Sequence, residues 1–235
     1  MSDEWDQSAA AWIAEQGEAG DFGRRFVLDT PMLERIKGRG FRTALDVGCG
    51  EGRFCRMMRA HGVHAVGIDP TAALLDAARA RDPAGDYRQG QAEALDFSNG
   101  SFDLVVSYLT LIDIDDVDRA IPEMARVLRP GGTLLVANIA SYASAAGCWL
   151  RDAGNVARFS LDDYLEERAL FVEWKGISVR NWHRPLSRYM TLLLDAGLKL
   201  RHFAEPAPQP GGDPAQSERN RRIPWFNLME WRKPG

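Results

Sequence analysis

Leu45-Asp46-Val47-Gly48-Cys49-Gly50-Glu51-Gly52-Arg53-Phe54 decides the fold of this 235-residue chain. Its apolar start reads as a buried strand, its three alternate glycines as a tight turn, and the residues from Arg53 as the opening of a helix. Asp69 closes the next apolar run, Val63 to Ile68, about twenty residues on. A glycine-rich strand-to-helix turn followed by an acid at that spacing is how an open α/β sheet holds an adenosine-type cofactor. Glycine lets a ligand approach the backbone because it has no Cβ. The acid accepts hydrogen bonds from ribose hydroxyls, and a carboxylate there repels a 2′-phosphate. A dinucleotide fingerprint is G-x-G-x-x-G, whereas this turn is D-x-G-x-G-x-G.

Outward from the turn, strands and helices alternate. Strands are expected at 42–47, 63–68, 86–89, 102–107 and 132–138, and helices at 53–61, 71–81 and 116–128. That alternation implies an α/β fold, a parallel sheet covered by helices on both faces, with ligands at the carboxyl ends of the strands. Residues 1–40 look helical and form a segment of their own. Asp29 or Thr30 before Pro31 is a helix start, and Gly38 and Gly40 a helix stop. Residues 41–235 form the main domain. Residues 141–180, with Gly147, Gly154, Gly176, several aromatics and two short helical patterns, read as an insertion over the strand ends. A helix from Pro185 to Ala196, a strand near 198–204, a loop from Pro206 to Asn220 and a last strand near 223–232 complete the chain.

Composition narrows the function. The chain is 45% hydrophobic and carries a formal charge of −4, without the basic surface of a dedicated nucleic-acid binder. The cluster Arg219, Arg221, Arg222 reads as a solvated loop. No apolar run reaches the roughly 18 residues of a membrane span, and the polar start, Met1 to Asp6, is not a secretory signal. Three cysteines, Cys49, Cys55 and Cys148, without C-x-x-C spacing, argue against a disulfide framework or a zinc site and for a reducing cytoplasm. No residue spacing suggests a metal site. Asp113, Asp115, Asp116 and Asp118 read as a helix entry favoured by the helix dipole.

The turn, Asp69 and three later segments together resemble the class I S-adenosylmethionine-dependent methyltransferases, most closely their small-molecule, type 11-like branch. Gly90-Gln91-Ala92-Glu93 is similar to the segment that edges the adenine, although the family usually has an acid where Gln91 stands. Phe102 to Leu109 resembles the fourth strand and the loop over the methyl group. Val127-Leu128-Arg129-Pro130-Gly131-Gly132 resembles the turn into the fifth strand. The resemblance implies a Rossmann-like sheet of seven strands, the last antiparallel. It implies S-adenosyl-L-methionine as cofactor and S-adenosyl-L-homocysteine as product. Asp46, Gly48, Cys49, Gly50, Gly52, Arg53, Asp69, Pro70, Gln91, Ala92, Glu93, Ser107 and Tyr108 are then the candidate cofactor residues. Several have ordinary alternatives: Asp69 as a helix cap, Arg53 and Glu93 as solvated side chains, Tyr108 as core.

The acceptor half is thinner. Trp12 and Arg24 fall in the segment that covers the cofactor in the family, with Trp12 a lid or core aromatic or a substrate platform. Trp182 and His183 precede a helix that lines the acceptor side in small-molecule members. His183 is a candidate general base, with a reference pKa suited to neutral pH, or a structural hydrogen-bond partner; Tyr108 is the other candidate catalytic group. Methyl transfer from a sulfonium is an in-line displacement that needs alignment and exclusion of water more than any fixed catalytic motif. The expected function is methylation of a small organic acceptor, at an atom and in an oligomeric state the sequence leaves open. The rivals are a protein of the same fold that holds the cofactor without turnover, as a partner or sensor, and a nicotinamide-dependent oxidoreductase, against which the glycine spacing speaks.

Overall fold

The computed structural model describes residues 2–145, 148–155 and 157–235. Gly147 lies outside them. The first strand, β1 (Thr43–Val47), is buried after its first residue and is anchored by Asp103, whose carboxylate accepts hydrogen bonds from the Arg42 and Thr43 amides at 2.8 and 3.0 Å. Helix α3 (Arg53–Ala60) follows the glycine turn and buries Phe54, Cys55 and Met58. It is preceded in the chain by α1 (Ser2–Gln16) and α2 (Asp29–Glu34). Then come β2 (His64–Asp69), α4 (Ala72–Arg81), β3 (Asp86–Gln89) and β4 (Phe102–Tyr108). Asp116 caps α5 (Val117–Val127) by accepting from the Arg119 amide at 3.1 Å. Lys233 closes the other end of α5, donating to the carbonyls of Ala125 and Leu128, both at 2.8 Å. The inner face of α5, with Ile121 and Met124 fully buried, stabilises the sheet by roughly 1.5–3 kcal/mol per large side chain.

After β5 (Leu128–Ile139) and the short α6 (Ser141–Ser144), the chain forms two hairpins, β6 (Cys148–Arg151) with β7 (Ala157–Ser160) and β8 (Arg168–Trp174) with β9 (Ile177–His183). It ends with α7 (Leu186–Asp195), β10 (Lys199–Ala204), α8 (Pro214–Arg222) and β11 (Phe226–Arg232). The main sheet has the order β10-β11-β5-β4-β1-β2-β3. Strands β1 to β5 pair in parallel, and β11 runs antiparallel to both neighbours. The strand order reverses between β1 and β4, so the carboxyl ends of those two strands flank the crevice where such sheets bind ligands. No helix among the described residues is long and apolar enough to cross a membrane.

Two local expectations need correction, and a third gains a detail. The insertion holds one short helix, α6, followed by two hairpins, rather than two short helices. In β8–β9 the turn residues Lys175 and Gly176 both have positive φ, 47° and 81°, the conformation that tight hairpin turns require, and the flanking side chains alternate in burial. Residues 214–222 are helical rather than loop: Asp213 caps α8 through the Gln216 amide at 2.8 Å and Pro214 opens it. An α-helix does begin at Asp29, but without a side-chain cap. The chain is already helical through a π-type turn at Arg24–Leu28, and the Asp29 side chain is committed elsewhere.

Candidate functional site

Gly48, Gly50 and Gly52 all have positive φ, at 73°, 53° and 75°. A Cβ on Gly48 would stand 2.2 Å from Thr110 Cγ2, and one on Gly52 would stand 2.5 Å from the Tyr87 ring. The turn is therefore closed to side chains on its inner side, while the space at Gly50 is open as far as the Trp12 indole, 3.8 Å away. Asp69 Oδ2 accepts from the Gly50 amide and Oδ1 from the Thr71 amide, both at 2.9 Å. The carboxylate thus fixes the turn and also lines the cavity beside Gly48, Gly50, Pro70 and Leu74. Burial raises its pKa, offset by those two amides.

Asp46 lies deeper, 1% exposed. One of its oxygens, Oδ2, faces the Cys55 thiol at 3.4 Å, and Oδ1 has no hydrogen-bond partner. An unpaired carboxylate oxygen in a buried place is costly, and desolvation pushes the pKa of Asp46 up to about 7. Burial also pushes the Cys49 thiol up to about 11, so Cys49 is a small packed side chain of the turn. Asp46, Cys49, Glu51, Arg53 and Phe54 line the inner recess of the crevice.

Arg53 points away from the turn. It clamps Asp29 through both guanidinium nitrogens and donates to the Ala19 carbonyl at 2.6 Å. The Tyr108 hydroxyl donates to the same Asp29 at 2.9 Å. This chain of contacts ties the N-terminal segment to β4 and α3. The Tyr108 hydroxyl is thereby committed to Asp29, and burial together with that neighbouring carboxylate raises its pKa well above the usual phenol value. Its ring remains part of the cavity wall. The next residue, Leu109, has φ of 59°. A branched residue in that conformation is strained, and here it lines the crevice at the end of β4, held by its amide on the Ala137 carbonyl at 2.8 Å.

A second cavity adjoins the first. Trp5, Trp12, Trp174, Trp225 and Phe226 supply its apolar surface, and Asp21, Arg24, Asp113 and Asn181 its polar groups. Helix α1 reaches it by docking on β9: Ser8 Oγ donates to the Ser178 carbonyl and accepts from the Ser178 amide, at 2.9 and 3.0 Å. Arg24 pairs with Asp21 at 2.5 Å and lies over the Trp12 ring at 4.8 Å. Trp5, Trp12, Arg24, Leu109 and Asp113 border both cavities.

Of the sequence candidates, Gly48, Gly50, Asp46, Cys49, Arg53, Asp69, Pro70, Trp12, Arg24 and the Tyr108 ring come together around the crevice, and Gly52 packs behind the turn against Tyr87. Gln91, Ala92 and Glu93 do not. Gln91 is exposed in a separate cleft with Gly90 and Ala94, and Ala92 packs into the core. Ser107 is fully buried with an unpartnered hydroxyl and lies outside the cavity lining. His183 is fully buried, its Nδ1 2.9 Å from Ser144 Oγ and its Nε2 2.8 Å from the Tyr164 carbonyl. Both ring nitrogens serve the insertion, so the structural role wins over the general base. Trp182 donates to Asp115 at 2.8 Å and faces Arg184, outside the cavities. The sequence reading missed Trp5, Leu74, Leu109, Thr110, Asp113, Trp174 and Asn181. The acidic residue at 113 was visible, but its neighbours 115, 116 and 118 made it look like part of a helix entry, a role Asp116 alone fills as the cap.

Residues 45–136 match the family described as Methyltransferase domain. Over 110 residues the chain is 36% identical to a malonyl-[acyl-carrier protein] O-methyltransferase of Enterobacter lignolyticus, a match covering 47% of this chain and 44% of that protein. Over 119 residues it is 34% identical to a ubiquinone biosynthesis O-methyltransferase of Chelativorans sp., covering 49% and 47%. The chain thus spans about half the length of the curated relatives it matches. The crystal structure of an S-adenosylmethionine dependent methyltransferase from Mesorhizobium loti superposes with a TM-score of 0.77 at 27% identity, covering 87% of this chain and 96% of that one.

Proposed function

The chain belongs to the class I S-adenosylmethionine-dependent methyltransferase family, and from that premise we propose that it transfers a methyl group from S-adenosylmethionine to a small organic acceptor. The observation that carries the reading is the pair of carboxylates around the glycine turn. Asp46 keeps one buried oxygen without a partner, a position that suits the ammonium group of the cofactor. Asp69, fixed by two amides, presents its carboxylate to the cavity for the ribose hydroxyls. Leu74 and Pro70 offer apolar surface beside it. Bound there, the cofactor supplies an electrophilic methyl group on a sulfonium.

The protein's own work is alignment and exclusion of water. The N-terminal segment, residues 1–40, acts as a lid. Its Trp5 and Trp12 close the crevice, and the Asp29 contacts with Arg53 and Tyr108 hold it down. The β8–β9 hairpin of the 141–180 insertion supplies the far wall of the acceptor cavity through Trp174 and Asn181. The reading places no nucleic acid in the site and assigns the chain to the cytoplasm.

Calorimetric titration with S-adenosylhomocysteine, with NADH as control, tests the cofactor; micromolar binding of the first alone is expected. Transfer of labelled methyl groups to a pool of small hydroxyl, amine and carbon acceptors tests turnover. Tight cofactor binding with no methyl consumed by any pool would leave a cofactor-holding protein instead.

A further inference from the structure

Asp113 stands where the two cavities meet. The loop that carries it, between β4 and α5, is gripped by β9 and the residue after it. The Trp182 amide donates to the Ile112 carbonyl at 2.6 Å. The buried Arg184 guanidinium donates to the carbonyls of Leu111, Ile114 and Asp115 at 3.2, 2.8 and 2.9 Å. Asn181 Nδ2 then donates to Asp113 Oδ1 itself at 2.6 Å. A surface loop rich in aspartate needs no such clamp; this one holds one carboxyl at the cavity wall against its desolvation cost.

We propose that Asp113, aimed by Asn181, takes the hydrogen bond of the acceptor atom, so that the cavity selects an aromatic or apolar molecule whose methylated atom carries a hydrogen, as a hydroxyl or amine, and not a carboxylate. This rests on the methyltransferase reading. The apolar body is set by the tryptophans of the wall. The exclusion of a carboxylate follows from charge. Among the described residues of that wall Arg24 is the cation, and its charge is matched by Asp21 at 2.5 Å and spread over the Trp12 ring. An incoming carboxylate would meet Asp113 with no unmatched cation to offset the repulsion.

In the step itself, a lone pair of the acceptor atom forms the new bond to carbon. The carbon–sulfur bond breaks with its electrons going to sulfur, and the acceptor's proton passes to the Asp113 carboxylate, which returns it to solvent. Burial and the neighbouring Asp69 make Asp113 a stronger base than an exposed aspartate, while Asn181 and Arg24 favour its ionised form.

The test is a ranking of four probes of one shape: 4-methylphenol, 4-methylbenzylamine, 1,4-dimethylbenzene and 4-methylbenzoate. Their binding to the full chain is followed by tryptophan fluorescence at pH 8.5, with and without saturating S-adenosylhomocysteine. The phenol or the amine is expected to bind about tenfold tighter than dimethylbenzene, the scale of one hydrogen bond to a charged group, with methylbenzoate weakest. Whichever of the two leads identifies the donor. Asp113→Ala is expected to bring the leading donor within about threefold of dimethylbenzene, with a thermal melt confirming that the variant is folded. Donors no tighter than dimethylbenzene, methylbenzoate the tightest, or no probe bound would each overturn the proposal. Should the variant fail to fold, the ranking on the unaltered chain decides alone. Loss of S-adenosylhomocysteine binding on the unaltered chain would sink the methyltransferase reading instead, a separate measurement.

Discussion

The cofactor crevice and the acceptor cavity share five lining residues and are built on opposite plans. The floor of the crevice comes from one stretch of chain, β1, its turn, α3, and the end of β2 some twenty residues later, and the N-terminal segment and the residues after β4 close over it. Its defining contacts are backbone ones, such as the Gly50 amide on Asp69 and the paired amides of Gly48 and Cys49 on the Ile68 carbonyl at 2.8 and 2.9 Å. The acceptor cavity comes from side chains far apart in sequence. Ser8 meets Ser178, and Trp12 meets Trp174 edge-on at 6.4 Å between centroids. A site made of backbone conformation leaves its mark in the sequence as glycine and spacing. A site made of side chains converging over a sheet leaves only tryptophans, which packing also demands.

The largest expected effect comes from breaking the backbone plan. Gly48→Ala forces a Cβ into Thr110 and a residue into left-handed backbone. S-adenosylhomocysteine binding should fall by about a hundredfold or more, since such strain costs of order 1–3 kcal/mol before the clash is relieved. Calorimetry with a thermal melt reads both losses. Binding within threefold of the unaltered chain would show that the turn tolerates a side chain and that its glycines do not define the crevice.

Asp69→Ala comes next. It removes a carboxylate from the cavity wall and two hydrogen bonds from the turn. Cofactor affinity should weaken by roughly 1.5–3 kcal/mol, the scale of charge-assisted hydrogen bonds, and stability should fall as well. If melting drops while affinity stays, Asp69 serves the turn alone and the division between the two plans moves.

Asp46 sharpens the comparison through pH. Its folded pKa, about 7, lies above the ordinary 3.8, so the folded state binds the proton more tightly than the unfolded chain. The sign follows: between about pH 4 and pH 7 this group makes the protein less stable as pH rises, by on the order of 2–4 kcal/mol in all. Asp46→Asn should flatten that decline in a series of denaturant titrations. A bound ammonium group would favour the ionised carboxylate, so S-adenosylhomocysteine should bind several-fold tighter at pH 8 than at pH 6 in the natural chain and equally in the variant. Equal slopes in both would detach Asp46 from the cofactor.

These contrasts explain what the sequence disclosed. The α/β alternation and the glycine turn with Asp69 were legible because each rests on a local signal of period, glycine or spacing; the antiparallel last strand followed from the family resemblance alone. The insertion was misread because its strands are short and half exposed, so their alternation competed with helical spacing over few residues; the Lys175-Gly176 turn was the better guide. Gln91 was placed at the adenine by resemblance, and no property of the residue itself required it. His183 attracted a catalytic role through its chemistry, but its burial against Tyr164 and Ser144 depends on partners 19 and 39 residues away, which no local pattern announces.

The smallest effect tests whether the two plans are separable at all. Trp174 borders the acceptor cavity but not the crevice, and it meets the cofactor side at the Trp12 ring. Trp174→Ala should therefore leave S-adenosylhomocysteine affinity within about twofold, a change below 0.5 kcal/mol. It should weaken binding of an aromatic probe such as 1,4-dimethylbenzene by about three- to tenfold, the contribution of one aromatic contact. Were cofactor affinity to fall as far as probe affinity, Trp12 would have to be transmitting the loss across the shared wall. The acceptor cavity would then be part of the cofactor site's own closure, and the N-terminal segment would answer to both ligands as one element.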